Sequence, residues 1–310
     1  MSNPVGITMF FSLKSLSDSS AQTRPNEFYQ KNATTTLSVN IPLIIFCDSS
    51  TRNWIEPLRS SLSNKKTIYV EKNFTETEFY KVNHPIVVRN REMSPGYKDP
   101  TDRNTPSYLL IQMFKVFALQ MAYELVDASH YIWIDMGCGH IIWEAKDQLQ
   151  KVFTNLRPKI GITYIHYRSH EELIDMKSFL ATGGPCGVAC TMYTVEKPYV
   201  TLLYTRALSI FYEMLSKGVG HCDEQVFTYL YDRFPDMFTL TYGDYYSIAS
   251  NYTYVTRDYW SIRWHFIQNA LNAGRKDLAS ACAKTLLDSH SIGSITIDQN
   301  EINFLTSLVT

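Results

Sequence analysis

Asp135 closes the apolar run Tyr131-Ile132-Trp133-Ile134, and Met136-Gly137-Cys138-Gly139-His140 follows it at once. An apolar run ending in one acid and a small-residue turn is how a buried parallel strand brings a carboxylate to the carboxyl edge of an α/β sheet, where ligands bind. There the acid can hold a cation, and glycines let the backbone approach a ligand. The run Ile41 to Cys47 ends in the same way at Asp48. Two more acids, Asp223 and Glu224, follow His221-Cys222, and one cation, Lys115, interrupts a long apolar periodic stretch.

These residues need a frame. Ile7 to Leu13 reads as a first strand, Lys14 to Thr23 as a polar loop, and Arg24 to about Ser38 as a helix with Pro25 in its first turn. Ile41 to Cys47 is a second strand. Asp48-Ser49-Ser50-Thr51 offers cap residues for a helix through Leu58 and Leu62, and Thr67 to Val70 is a third strand. Phe74 to Thr105 is polar and broken by Pro85, Pro95, Gly96 and Pro100, so a lid or substrate loop is expected there. Pro106 to Leu125 is a helix, with Leu109, Met113, Phe117 and Met121 recurring every four residues. Ile142 to Val152 is a further helix, Ile160 to Ile165 a strand, and Leu180 to Cys190 a glycine-rich turn entering a strand. Pro198 to Ser216 and Asp223 to Arg233 are helical, and Phe238 to Tyr242 is a late strand. A helical pair, Asp258 to Asn272 and Lys276 to Asp288, ends the pattern. Alternating strands and helices indicate an α/β domain over residues 1–256, with a helical extension over 257–310.

Composition narrows the function. A formal net charge of -1 lacks the basic excess of a nucleic-acid binder. No apolar run of about 18 residues is present, so no membrane span is expected. The N-terminus lacks a basic segment ahead of an apolar core, so a cytoplasmic protein is expected, with peripheral membrane association left open. The six cysteines are scattered, and neither Cys186-x-x-x-Cys190 nor His221-Cys222 has structural zinc spacing, so they read as core thiols. Aromatics gather late, at Tyr242, Tyr245, Tyr246, Tyr252, Tyr254, Tyr259 and Trp260. They either line a carbohydrate or nucleoside site or wedge the C-terminal segment on the core.

Asp135-Met136-Gly137-Cys138-Gly139 resembles the methyl-donor loop of S-adenosylmethionine-dependent methyltransferases. Tyr131 to Gly137 also resembles the strand end that holds metal and diphosphate in sugar-nucleotide glycosyltransferases. A methyl-donor loop usually opens its domain, whereas this one follows three strands. A ribose-binding acid is due at the end of the next strand, roughly 20 residues on. Pro158 to His166 contains none. The glycosyltransferase pattern is met in order: a first strand ending near Phe11, a second at Asp48, Asp135 after the long helix, then the Gly183-Gly184-Pro185-Cys186-Gly187 turn and Asp223-Glu224. A third class is a sugar-nucleotide or glycan-binding protein without catalysis.

Five stretches together resemble the HtrL/YibB (WlaTC-like) proteins, a group of GT-A-like glycosyltransferases. They are the first strand with Arg24 and Glu27-Phe28-Tyr29, Pro42 to Asp48, Thr105-Pro106-Ser107-Tyr108 leading to Lys115, Tyr131 to Gly137, and Asp223-Glu224-Gln225. The resemblance implies a GT-A-like, Rossmann-like mixed sheet flanked by helices, with a C-terminal helical hairpin. It implies transfer of a hexose from a nucleotide-diphosphate sugar to a glycan or other hydroxyl acceptor. Asp135 would face metal or diphosphate, Lys115 would neutralise phosphate, and Phe11, Asp48 and Gly184 would lie near the donor. Asp223 or Glu224 would face the sugar or act as base. The second acid of an Asp-x-Asp pair is replaced by Gly137, so a Mn²⁺ or Mg²⁺ ion would need a further ligand from His140, His221 or Asp244. Plainer roles stand beside these: Asp135 and Asp223 as helix caps, Lys115 as a solvated helix residue, and both histidines as hydrogen-bonded loop residues.

Overall fold

Seven strands form one sheet in the order β3-β2-β1-β4-β6-β5-β7. They are β1 Val5–Phe10, β2 Leu43–Cys47, β3 Thr67–Glu71, β4 His130–Ile134, β5 Ile160–Tyr164, β6 Val188–Glu196 and β7 Phe238–Tyr242. The computed structural model describes residues 3–20, 23–93, 105–142, 145–181 and 186–310. β1 to β4 run parallel, β6 lies antiparallel between β4 and β5, and β5 pairs parallel with β7. This is the mixed α/β sheet flanked by helices that the sequence leads one to expect.

Strand alternation sorts the core onto two faces. Ile7, Met9, Phe46, Tyr131 and Trp133 face one side, against α3 Glu78–Met93, α4 Pro106–Leu125, α8 Val200–Ser216 and α9 Asp223–Arg233. Phe10, Ile45, Ile132 and Ile134 face the other, against α1 Asn26–Leu37, α2 Ser49–Leu62 and α5 Ala145–Thr154. Short helices α6 His170–Leu173 and α7 Met176–Ala181 follow β5.

Arg59 of α2 is buried and fixes the elbow between α1 and β2. Its guanidinium donates to the carbonyls of Leu37 at 2.7 Å, Val39 at 2.9 Å and Ile41 at 3.0 Å.

Part of the expected loop after Phe74 is instead the helix α3. Its buried stripe is narrow, with Phe79, Asn83, Val87 and Asn90 at helical spacing, so its composition reads as polar. Pro85 is tolerated because it and Lys81, whose carbonyl its ring leaves without the helical hydrogen bond, both lie on the exposed side. Residues 94–104 of that expected loop lie outside the described residues. The chain also turns earlier than expected after β1 and enters α5 later, through 3-10 turns at Leu13–Ser15 and Cys138–His140.

The C-terminal segment holds more helix than expected. The first member of the pair is divided into α10 Tyr259–Ile262, a π turn Arg263–Gln268 and α11 Asn269–Asn272. α12 Lys276–Ser291 follows, then an unforeseen α13 Gln299–Val309. α13 starts at Asp298, whose carboxylate accepts the Glu301 N–H at 2.9 Å. Phe266, Ala279, Cys282, Leu286 and Leu305 join the same apolar cluster as the sheet.

Candidate active site

The carboxyl tips of β1 and β4, the side of α4 and the start of α9 enclose a cleft of about 260 Å³. Phe11, Lys115, Asp135, His140, Asp223 and Glu224 all line it. Asp135 is held as an extension of its strand: its N–H donates to the Thr191 carbonyl at 2.8 Å, and its own carbonyl accepts the Thr36 hydroxyl at 2.7 Å.

Lys115 is the centre of the charge arrangement. Its Nζ lies 2.8 Å from Asp135 Oδ1 and 2.8 Å from Asp223 Oδ2, with its side chain 4% exposed. It also sits 5.5 Å from the Trp133 ring centroid. An ammonium this deep in an apolar helix is sustained only by paired charge. Burial opposes its charge; Asp135 and Asp223 outweigh that and hold its proton well above the usual lysine range. Trp133 Nε1 donates to the same Asp135 Oδ1 at 2.7 Å, so both contacts of that carboxylate fall on one oxygen. The Asp135 side chain is 31% exposed.

Asp223 and Glu224 occupy the first turn of α9, behind Cys222 at the cap position. Their neighbourhoods differ. Asp223 is buried on Lys115, and its carboxyl is pushed up to about 6, chiefly by burial. Glu224 is less enclosed, accepts the Tyr245 hydroxyl at 2.8 Å, and is pushed up to about 7 by burial and by Asp223. Tyr245 also meets Cys186 Sγ at 2.8 Å. Of these two acids, only Glu224 combines a place on the cleft wall with partial exposure.

Asp48, Asp244 and His221 lie outside the lining of this cleft, and His140 on its wall is engaged locally. Asp48 is in a neighbouring groove of about 690 Å³ at the tips of β1, β2 and β3, which Phe11 shares with the cleft. There it caps α2, accepting the Thr51 N–H at 2.8 Å in a reciprocal capping box. Asp244 shapes a turn by accepting the N–H groups of Tyr246 at 2.8 Å and Ser247 at 2.9 Å. His221 accepts the Cys222 N–H at 3.0 Å. His140 contacts the Gly137 carbonyl at 2.5 Å and the edge of Phe28. Gly184 lies outside the described residues. Among the described residues no group of three or more His, Cys, Asp or Glu converges as a metal site.

The glycines after Asp135 serve packing. A Cβ on Gly139 would stand 2.6 Å from the Asn32 carbonyl oxygen and 2.8 Å from Thr35 Oγ1, both on α1. One on Gly137 would meet the Tyr29 ring at 3.1 Å. Cys138 between them is buried against Thr36 Oγ1 at 3.2 Å. The turn is tight because α1 presses on it.

Sequence reasoning did not single out Tyr108, Gln112 or Trp133, all of which line the cleft. The signal was present. Tyr108 and Gln112 fall seven and three residues before Lys115, on its helix face, and Trp133 is two before Asp135, on its strand face.

Fold and site together define an α/β protein with a mixed seven-stranded sheet and a lysine bridging two acids in its carboxyl-edge cleft. The chain belongs to the HtrL_YibB family, described as a bacterial protein of unknown function, which matches residues 5–253. No curated protein matches it. Among solved structures it is similar to mouse xyloside xylosyltransferase 1 in its apo form, at 14% identity and TM-score 0.45, covering 88% of this chain and 93% of that one. It is also similar to core-mannan synthase A from Aspergillus fumigatus in a Mn/GDP form, at 9% identity and TM-score 0.46, covering 77% and 73%. A third similarity is to 4-diphosphocytidyl-2C-methyl-D-erythritol synthase from Anaerococcus prevotii, at 12% identity and TM-score 0.39, covering 85% and 96%. Among the described residues no helix is long and apolar enough to cross a membrane.

Proposed function

We propose that the protein is a glycosyltransferase that moves a hexose from a nucleotide-diphosphate sugar to a hydroxyl of a glycan or other acceptor. The observation that carries this reading is the division of roles among three carboxylates in one cleft. Asp135 and Asp223 share the buried Lys115, while Glu224 stands on the wall with its carboxyl near neutrality. A group that titrates near the working pH is suited to general-base work. Glu224 takes the proton from the acceptor hydroxyl as that oxygen bonds to the anomeric carbon. The bond from that carbon to the diphosphate breaks, and its electron pair leaves with the diphosphate. Asp223 is too enclosed for that task and acts by positioning Lys115.

Lys115 is already engaged by two acids, so it serves to fix Asp135 more than to neutralise phosphate. Arg24, which lines the same cleft and stacks on Phe28, is the better partner for phosphate. The hydroxyl-rich groove with Ser12, Ser15, Ser49, Ser50 and Lys72 takes the nucleoside, with Phe11 as the shared wall.

A divalent ion fits this site only in company with the donor. Among the described residues Lys115 and Trp133 both meet Asp135 on Oδ1, so Oδ2 is the oxygen it has to offer. One carboxylate oxygen suits Mg²⁺ or Mn²⁺ that leans on phosphates and keeps several waters. When bound, such an ion would offset the charge on the departing diphosphate.

The test is a screen of UDP-, GDP- and CMP-sugars with purified protein, with and without Mn²⁺, reading nucleotide release. One nucleotide-diphosphate sugar should be turned over, and Asp135→Asn should abolish this while the protein still melts cooperatively. Turnover by Asp135→Asn at the parent rate would overturn the site. Nucleotide binding without release from any donor would point to a binding protein instead.

A further inference from the structure

Two tryptophans on the π turn and the helix before it are left largely in water. Trp264 is 62% exposed and Trp260 is 52% exposed. Their element is not loosely held. On its inner side Phe266 packs against Tyr164 at 5.0 Å and Tyr242 at 4.8 Å. Arg263 pairs with the buried Glu301 and lies between Trp260, at 5.4 Å, and Phe304, at 4.7 Å. A firmly anchored segment that presents indoles outward is not explained by core packing, and π turns concentrate at functional positions.

The tryptophans are joined to the cleft by a continuous line of contacts. His265, next to Trp264, accepts the Tyr167 N–H at 3.2 Å and places its ring 4.6 Å from that of His166. His166 donates its N–H to the Gly187 carbonyl at 3.0 Å. Beside Gly187, Cys186 meets Tyr245, whose hydroxyl bonds Glu224. Arg168 lies against Gly187 too, with its Nε buried and lacking a hydrogen bond. Aromatic faces alternating with hydrogen-bonding side chains suit a saccharide, whose rings offer C–H faces and hydroxyl edges.

We propose that this strip, from Glu224 through Tyr245, His166 and His265 to Trp264 and Trp260, binds the acceptor as an oligosaccharide of several sugar units. It rests on the glycosyltransferase reading of the cleft. The terminal hydroxyl lies at Glu224, and sugar units further along the chain stack on Trp264 and Trp260.

The probe is an array of neutral and acidic oligosaccharides of four to six units, applied to the full-length protein and to the variant Trp260→Ala/Trp264→Ala. A thermal shift with UDP and GDP checks the fold and the nucleotide site. At least one oligosaccharide class should be retained, and retention should fall at least tenfold in the double variant with the nucleotide shift unchanged. Trp264→Phe, which keeps an aromatic face, should recover most of it. Equal retention by parent and double variant, or no retention by the parent, overturns the proposal. So does loss of binding to phosphatidylglycerol vesicles in place of glycans, which would make the strip a membrane contact. Retention of a glycan without any nucleotide shift would leave the strip standing and remove the glycosyltransferase reading.

Discussion

Lys115 Nζ lies 2.8 Å from Asp223 Oδ2, with the two side chains 4% and 3% exposed. The same ammonium bridges to Asp135, so one cation holds two acids that would otherwise repel. Lys115→Met should cost about 3–5 kcal/mol in urea unfolding, because it leaves buried charge uncompensated. Adding Asp223→Asn should return a good part of that loss. Strictly additive losses in the double-mutant cycle would show that the two residues are not coupled.

Glu224 gives a pH signature. Its carboxyl is raised from 4.5 to about 7, so the folded chain holds that proton more tightly than the unfolded one. The contribution of this group to stability is therefore greatest below the unfolded value. It declines as pH rises to about 7 and is level above that. Glu224→Gln should match the parent at pH 4 and exceed it by about 1–2 kcal/mol at pH 8, a discounted figure because the side chain is partly exposed. Its turnover should fall at least a hundredfold. A variant of unchanged activity would remove Glu224 from the role of base.

Gly139→Ala separates packing from ligand binding at the turn after β4. The added Cβ would meet a backbone oxygen of α1, so a loss of about 1–3 kcal/mol is expected by thermal or urea unfolding. S-adenosylmethionine should leave the melting temperature of the parent unmoved, while UDP or GDP raises it. The opposite pattern would restore the methyl-donor reading.

Metal binding should depend on nucleotide. Calorimetric titration of Mn²⁺ into protein alone should show weak binding, and addition of UDP or GDP should tighten it at least tenfold. Tight binding of Mn²⁺ without nucleotide would require ligands beyond Asp135.

The half of the fold built from short apolar runs was readable because their length and flanking turn residues favour a buried strand over a helix. β1, β2 and β4 are of this kind, with Asp48 and Asp135 at the tips of the last two. α3 escaped because its buried stripe is narrow and Pro85 resembles loop punctuation. α13 escaped despite Asp298, Glu301, Ile302 and Leu305 standing in cap and helix register. In the site, Asp135, Lys115 and Glu224 could be nominated by type and position. Their partners could not, since the Lys115–Asp223 contact joins residues on two helices far apart in the chain. No local spacing announces such a pair. The same holds for Tyr245, whose place over Glu224 depends on how the turn after β7 folds back.

Arg59 has the opposite character to the cleft. Burial lowers its proton affinity, yet a guanidinium keeps its charge throughout the working range, and carbonyls satisfy it. The elbow between α1 and β2 is thus tied by a charge that does not titrate, while the opposite end of the sheet carries Asp223 and Glu224, which do. Raising the pH toward neutrality loads new charge onto Asp223 and Glu224 at the ligand-binding end and none onto Arg59. The two ends of the sheet therefore answer differently to the approach of neutrality: the mouth changes its charge while the elbow remains a fixed anchor.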